Sequence, residues 1–433
     1  MANKKSNILP IVVMYLLFFM IAFVTNLCNP MAVIVKNNFA MSNFAAQLGN
    51  AANFIAYAAM GIPAGMLLKK IGYRKTALVA ILVGFVGVFL QYMSGWAAIQ
   101  SFWVYLAGAF TAGFCMCMLN TVVNPMLNTL GGGGNKGNQL VQFGGVCNSL
   151  AAVLVTIIMG SLIADATKAQ IADATPALMI ALGVFAFAFI VLLLVKIPEP
   201  SLESEKVNVE NEKKYSAFSF RHFNLGILAI FLYMGVEVGV PTYVMQYLTT
   251  SPEAATPGLG INAGIVGMIV AVYWLLMLIG RLLGGMIGGK VSSRAQITGV
   301  SIFCLVLVLL GMFLPADVMV KMPGIDWATL TVMTAQVPVG VFALILVGLC
   351  TSVMWGGIFN MAVEGLGKYT SIASGAFMTM VCGGGILIPL QGKLADVFGN
   401  FQMSYIVVLV CTAYILFYAL VGSKNVNKNI PTE

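Results

Sequence analysis

The stretch Gly61-Ile-Pro-Ala-Gly-Met-Leu-Leu-Lys-Lys-Ile-Gly-Tyr-Arg-Lys75 ends the apolar run 44–68 in a knot of cations, Lys69, Lys70, Arg74 and Lys75. Six apolar runs later, Gly280-Arg-Leu-Leu-Gly-Gly-Met-Ile-Gly-Gly-Lys290 closes the run 262–289 in the same manner. A second pair lies at the same separation. Leu119-Asn-Thr-Val-Val-Asn-Pro-Met-Leu-Asn-Thr-Leu-Gly131 leaves the run 99–127, and Ile358-Phe-Asn-Met-Ala-Val-Glu-Gly-Leu-Gly367 leaves the run 335–361. Two halves of like construction therefore follow one another along the chain.

A run of about 20 mostly apolar residues is the length of a helix that crosses a bilayer. Backbone groups facing lipid have no other partner, so each run is predicted to be helical. Twelve such spans are read: 9–30, 44–68, 76–94, 99–127, 138–165 and 176–196, then 224–248, 262–289, 296–316, 335–361, 372–394 and 402–421. The segment between the sixes is polar and charged, with Pro198-Glu-Pro-Ser-Leu-Glu-Ser-Glu-Lys206 and Lys213-Lys214. The expected organisation is an N-terminal six-helix bundle over 1–196, a cytoplasmic linker over 197–223 and a C-terminal six-helix bundle over 224–433. The fold class is an all-α membrane protein, its twelve transmembrane helices in two pseudo-symmetric bundles with a site between them at mid-membrane.

Composition agrees. The 433 residues are 60% hydrophobic and only 8% charged, against about 25% charged in a soluble domain. The net charge of +8 is a matter of topology rather than of nucleic-acid binding. Seventeen of the 22 basic residues fall in the termini and even-numbered loops, four in odd-numbered loops, and Arg281 inside a span. This asymmetry predicts that both termini face the cytoplasm. Lys4 and Lys5 precede an apolar run with no convincing small-residue cleavage site, so the first span is expected to stay in place.

Other chemistries find little support. The eight cysteines all fall in apolar runs, Cys115 and Cys117 do not have zinc-site spacing, and His222 is the single histidine, so no metal site is expected. Gly131-Gly-Gly-Gly134 lacks the Gly-Lys-Ser/Thr of a phosphate loop. Neither an enzyme's nucleophile–base constellation nor a sensor's soluble output domain is present.

The stretch Gly65–Lys75 resembles the loop 2–3 signature of the major facilitator superfamily, with Lys69 where that signature has Asp. A closer resemblance is to the branch that holds the bacterial L-fucose permease and the glucose/galactose transporters. Leu17-Phe-Phe-Met20, Ile62-Pro-Ala-Gly65, Asn124-Pro125, Asn148-Ser149, Tyr233-Met-Gly-Val-Glu-Val-Gly239 and Gly383-Gly-Gly385 carry it. The resemblance implies proton-coupled sugar uptake across a bacterial inner membrane by a monomer. In the L-fucose permease one acid on span 1 and one on span 4 serve coupling and sugar binding. The matching positions here are Asn29 and Asn120, so the proton mechanism does not transfer directly. Asn148 matches a sugar-contacting asparagine on span 5, and a nearby glutamine contact is Gly145 here.

Charges at membrane depth are costly and point to function. Glu237 is the candidate coupling residue, able as a buried acid to exchange a proton or as a carboxylate to hold Na⁺. Arg281 is its possible charge partner, the structural alternative being a simple tie between spans 7 and 8. Asn26, Asn29, Asn53, Asn120, Asn124, Asn148 and Asn360 offer neutral amides that suit sugar hydroxyls or bond helix to helix. Tyr273, Trp274 and Trp355 are the aromatics chosen to stack on a sugar ring. The expectation is a secondary active importer of a neutral sugar such as L-fucose, glucose or galactose, with Na⁺ or H⁺ as coupling ion and no cofactor. The alternatives are an uncoupled sugar facilitator or a carrier of another small solute.

Overall fold

The computed structural model describes residues 8–39, 48–162, 170–199, 215–261, 263–326, 331–427 and 429–432. Ten helical stretches among the described residues are long and apolar enough to cross a membrane. One of them, Leu48–Met93, is two spans joined end to end, because its backbone leaves helical geometry at Gly72. Gly134–Leu162 is a further helix of 29 residues. Twelve spans result, as expected from the apolar runs.

The first half contains span 1 (Ile8–Asn38), spans 2 and 3 (Leu48–Met93), span 4 (Phe102–Leu130), span 5 (Gly134–Leu162) and span 6 (Thr175–Leu194). The second begins with span 7 (Arg221–Thr249), span 8 (Ala263–Gly288) and span 9 (Ser293–Phe313). Span 10 is broken into Val339–Thr351 and Met354–Val363, and span 11 into Thr370–Thr379 and Gly383–Phe398. Span 12 covers Phe401–Gly422. The break in span 10 has a local cause. The Ser352 hydroxyl donates to Leu349 O at 2.6 Å, and Thr351 Oγ1 reaches the Val347 and Gly348 carbonyls. Hydroxyls that bond back onto the preceding turn compete with the helical ladder and bend it.

Several boundaries differ from the sequence reading, span 1 for instance running to Asn38 rather than 30, and two of the differences matter here. Span 7 opens at Arg221, so His222 lies in a helix, buried and bonded through Nε2 to Glu364 O at 3.0 Å. Span 10 opens later than residue 335, because two antiparallel strands precede it, β1 (Met319–Asp326) and β2 (Thr331–Pro338), with Met319 opposite Pro338 and Asp326 opposite Thr331. Pro323 and Gly324 interrupt any clean alternation, which is why the sequence read as loop.

The surface is inverted relative to a soluble protein. Ile55, Met66, Phe187, Leu194, Leu283, Phe313 and Val410 are exposed, as side chains facing lipid should be. Helices in a bilayer gain little from hydrophobic burial and associate through close packing. Spans 2 and 11 show this where they cross at Gly61, Gly65 and Gly375. A Cβ on Gly375 would stand 2.7 Å from Gly65 Cα and closer still to Gly61 O.

Gly72 makes the turn between spans 2 and 3 at φ 83° and ψ 174°, a conformation available essentially to glycine alone. Glu199, just beyond span 6, holds the turn. Its carboxylate accepts from Tyr73 N at 2.6 Å and Arg74 N at 3.0 Å, while Arg74 Nε donates to Leu192 O at 2.9 Å. Gly72→Ala is expected to cost about 1–3 kcal/mol, read as a lower midpoint of thermal unfolding in detergent. Gly183→Ala, at an exposed helical position with nothing within 4 Å of the new methyl, should leave the midpoint unchanged or raise it.

Candidate functional site

A small cleft lies between the halves, its enclosed space about 40 Å³. Asn26 of span 1 and Asn148, Ser149 and Ala152 of span 5 line one side; Glu237 of span 7 and Trp274, Met277 and Arg281 of span 8 line the other. The lining is small, amide-rich and aromatic, with one acid and one base.

Arg281 dominates it. Its Nη2 lies 3.2 Å from Glu237 Oε1, the two side chains being 9% and 13% accessible. Its Nη1 lies 2.8 Å from Ser149 Oγ, 3.1 Å from Gly145 O and 3.3 Å from Asn148 Oδ1. The guanidinium therefore ties span 8 to span 7 by charge and to span 5 by neutral acceptors. Behind Glu237, the Tyr273 hydroxyl donates to the Glu237 carbonyl at 3.0 Å and lies 3.2 Å from Thr351 Oγ1. Tyr273 is fully buried, and its ring packs edge-on against Trp274 at 5.2 Å. Asn26 lines the cleft with its amide donated to Ala22 O at 2.8 Å.

Between the cleft and the lysine-rich face, the halves are sealed by neutral hydrogen bonds. Trp355 Nε1 donates to Asn124 Oδ1 at 3.1 Å, Asn128 Nδ2 to Asn360 Oδ1 at 2.6 Å, Gln142 Nε2 to Gln296 Oε1 at 2.9 Å and Ser374 Oγ to Thr121 O at 3.1 Å. Asn124 donates in turn to Asn120 O at 2.8 Å, Asn120 to the Tyr57 hydroxyl at 2.9 Å and Asn360 to Ser293 Oγ at 2.9 Å. The glycine crossing of spans 2 and 11 completes the seal on its other side.

The Major Facilitator Superfamily model matches residues 14–389. The chain belongs to this superfamily. Superfamily relatives along nearly its full length include the glucose/galactose transporter of Brucella abortus, 27% identical over 98% of this chain and 96% of that protein. The L-fucose-proton symporter of Escherichia coli is 23% identical over 98% of this chain and 95% of that one. The superfamily transporter FucP, crystallised in the outward conformation, superposes with a TM-score of 0.79 at 22% identity, covering 97% of this chain and 100% of that one. The chain is thus a major facilitator transporter and not an enzyme.

Most of the sequence-derived residues fall in two places, the cleft and the seal, whereas Tyr273 is buried behind the cleft with its hydroxyl on Glu237 O. Asn26, Asn148, Trp274, Glu237 and Arg281 meet at the cleft. Asn120, Asn124, Trp355 and Asn360 sit in the seal, bonded to one another or to Tyr57, Asn128 and Ser293. Asn53 is buried on span 2 against Gly113 of span 4. The Asn29 side chain lies outside the described residues. Sequence reasoning passed over Ser149, Gln142, Gln296, Asn128 and Ser374. A signal for some of them exists: Asn138, Gln142, Gly145, Ser149 and Ala152 recur at steps of four and three, one face of a helix. Met277, Arg281, Gly284 and Gly288 do the same on span 8, and the two stripes face each other.

Thr121 is fully buried in the sealed conformation. In a chain stripped of native cysteines, Thr121→Cys should react slowly with a membrane-impermeant maleimide offered at the lysine-rich face. Adding Gly375→Val, which cannot pack against Gly61 and Gly65, should accelerate labelling about tenfold or more. An unchanged rate would show that this crossing does not close the face.

Proposed function

We propose that the chain imports a neutral monosaccharide by alternating access, coupled to protons through Glu237. The observation that carries the reading is the cleft itself: amides and a hydroxyl from one half, an indole from the other, and a buried carboxylate held by Arg281 at 3.2 Å. Asn26, Asn148 and Ser149 offer donors and acceptors to sugar hydroxyls, and the Trp274 face offers a surface to the ring's C–H groups. The transported sugars of the relatives, glucose, galactose and L-fucose, are the class that such a lining suits.

The charge asymmetry of the loops puts the sealed face in the cytoplasm, and the cleft then faces outward. The setting is the inner membrane of a bacterium, as a monomer, with both termini in the cytoplasm. Residues 1–196 and 224–433 rock as two bundles about the cleft, joined by 197–223. Asn120, Asn124, Trp355 and Asn360 lie on the route the sugar takes when the seal opens.

A proton fits Glu237 better than Na⁺ does. The guanidinium already occupies one carboxylate oxygen, and its positive charge repels a metal ion at the other. The proton needs no such space. With Glu237 ionised, Arg281 is neutralised and bridges spans 7 and 8. With Glu237 protonated, the charge pairing is lost and the span 5 acceptors hold Arg281 alone. A proton taken from outside thus loosens the second half's hold on Arg281 and is given up inside. The amides at positions 29 and 120 leave the second half to carry the proton, and they also motivate the second reading, uncoupled facilitation.

The test is uptake of labelled glucose, galactose and L-fucose into proteoliposomes under an inward H⁺ or Na⁺ gradient. One proton per sugar should sustain about tenfold accumulation per pH unit of gradient. Glu237→Gln should reduce accumulation to the equilibrium level while sugar exchange continues. Accumulation by the Gln variant would remove Glu237 as the coupling group, and equilibration by the parent protein would establish the uncoupled reading.

A further inference from the structure

We infer that Tyr233 is the positioning residue that carries the protonation state of Glu237 to the seal. The inference rests on the reading of Glu237 as the coupling group.

Tyr233 and Glu237 stand four residues apart on span 7, on one face of the helix. The Tyr233 side chain is fully buried and touches three groups. Its hydroxyl donates to Thr351 O at 3.4 Å. The same hydroxyl interacts with the Glu237 carboxylate. Its ring lies 6.2 Å from that of Trp355, edge to face, and the Trp355 indole donates across the halves to Asn124. Cleft and seal thus meet at one side chain. Arg281 also pairs with Glu237, but among the described residues its other bonds lead to span 5.

Thr351 is where span 10 gives way. It ends the helix Val339–Thr351, and the helix Met354–Val363 begins three residues on. The last carbonyls of a helix have no partner within it. The Thr351 carbonyl takes its hydrogen from Tyr233, at a separation longer than the roughly 2.7–2.8 Å usual between oxygens. The helix beyond the break carries Trp355 and Asn360, both bonded across the seal.

A phenol has one hydrogen to give and an oxygen that can accept. Two acceptors compete for the Tyr233 hydrogen. An ionised Glu237 competes strongly, because a bond to a charged oxygen is roughly twice as strong as a neutral one. The bond to Thr351 O then stays long. A protonated Glu237 has a hydrogen of its own to place. The Tyr233 oxygen can receive it, and the phenolic hydrogen then belongs to Thr351 O alone. Each bond in such a chain strengthens the next. Protonation in the cleft therefore draws the end of the first helix of span 10 toward span 7 and re-aims Trp355 against Asn124. Tyr273 holds the frame meanwhile, its hydroxyl 3.0 Å from Glu237 O and 3.2 Å from Thr351 Oγ1.

Glu237→Gln places a neutral, donor-bearing group at 237, as protonation does, and allows the test at constant pH. In the cysteine-stripped chain with Thr121→Cys, Glu237→Gln should raise maleimide labelling at the lysine-rich face about threefold or more. Tyr233→Phe keeps the ring on Trp355 and removes only the hydroxyl. In that background Glu237→Gln should leave the labelling rate unchanged. A hydroxyl that merely supported the fold would shift both rates alike and leave their ratio untouched. Tyr233→Phe alone should let sugar accumulation fall toward the equilibrium level while exchange continues. An equal effect of Glu237→Gln with and without the hydroxyl, no effect in either, or parental accumulation by Tyr233→Phe would overturn the inference. Those results leave the coupling reading standing as long as Glu237→Gln itself fails to accumulate sugar. Accumulation by Glu237→Gln would overturn both.

Discussion

A guanidinium at membrane depth costs several kcal/mol unless its surroundings answer it. Arg281 is answered on two sides, by one carboxylate from its own half and by three neutral oxygens from the other. Much of the cleft can be understood from this. Span 7 must bring Glu237 to its height, span 5 must present a bare backbone at Gly145, and Ser149 must follow one turn later. Tyr273 then locks the Glu237 backbone from behind. The charge pair sits where the two halves face each other, so any rocking of one half against the other changes the surroundings of Arg281.

The interior separates its polar groups by kind. Among the described residues, the ionised side chains of the interior, Arg281 and Glu237, are confined to the cleft. Amides and hydroxyls make up the seal, paired among themselves across the halves. Neutral partners cost less to bring together in a dry interior than ions do. Buried ion pairs often do little better than break even against their desolvation. A seal that must form and dissolve in every cycle is better built from bonds whose net worth is about 1 kcal/mol each than from bonds that are hard to leave.

The fold was legible because lipid imposes a simple rule on sequence. Apolar runs of spanning length and the placement of Lys and Arg located all twelve spans, and the paired stretches at 61–75 and 280–290 showed the doubling. The strand pair Met319–Asp326 and Thr331–Pro338 was missed because Pro323 and Gly324 break the alternation. At the cleft, Glu237 and Arg281 stood out as charges where charges are rare. The asparagines were harder to sort. Asn124 and Asn148 have the same chemistry, and nothing in the residue type says that one faces Trp355 in the seal and the other faces the cleft. Depth along a helix and the conformation of the halves decide that, and neither is written in composition. The stripe Asn138–Gln142–Gly145–Ser149–Ala152 held part of the answer. Its period marks a face, and Gly145 within it marks a gap that only the opposing helix explains.

The neutrality of the seal also bears on how dissolved salt acts on the molecule. At physiological ionic strength, charges separated by more than about 8 Å are largely screened, and a gate made of surface ion pairs would loosen further as the salt concentration rose. The bonds Asn124–Trp355, Asn128–Asn360 and Gln142–Gln296 carry no net charge for counter-ions to screen. A barrier built this way keeps its strength as the ionic strength of the solution it faces rises.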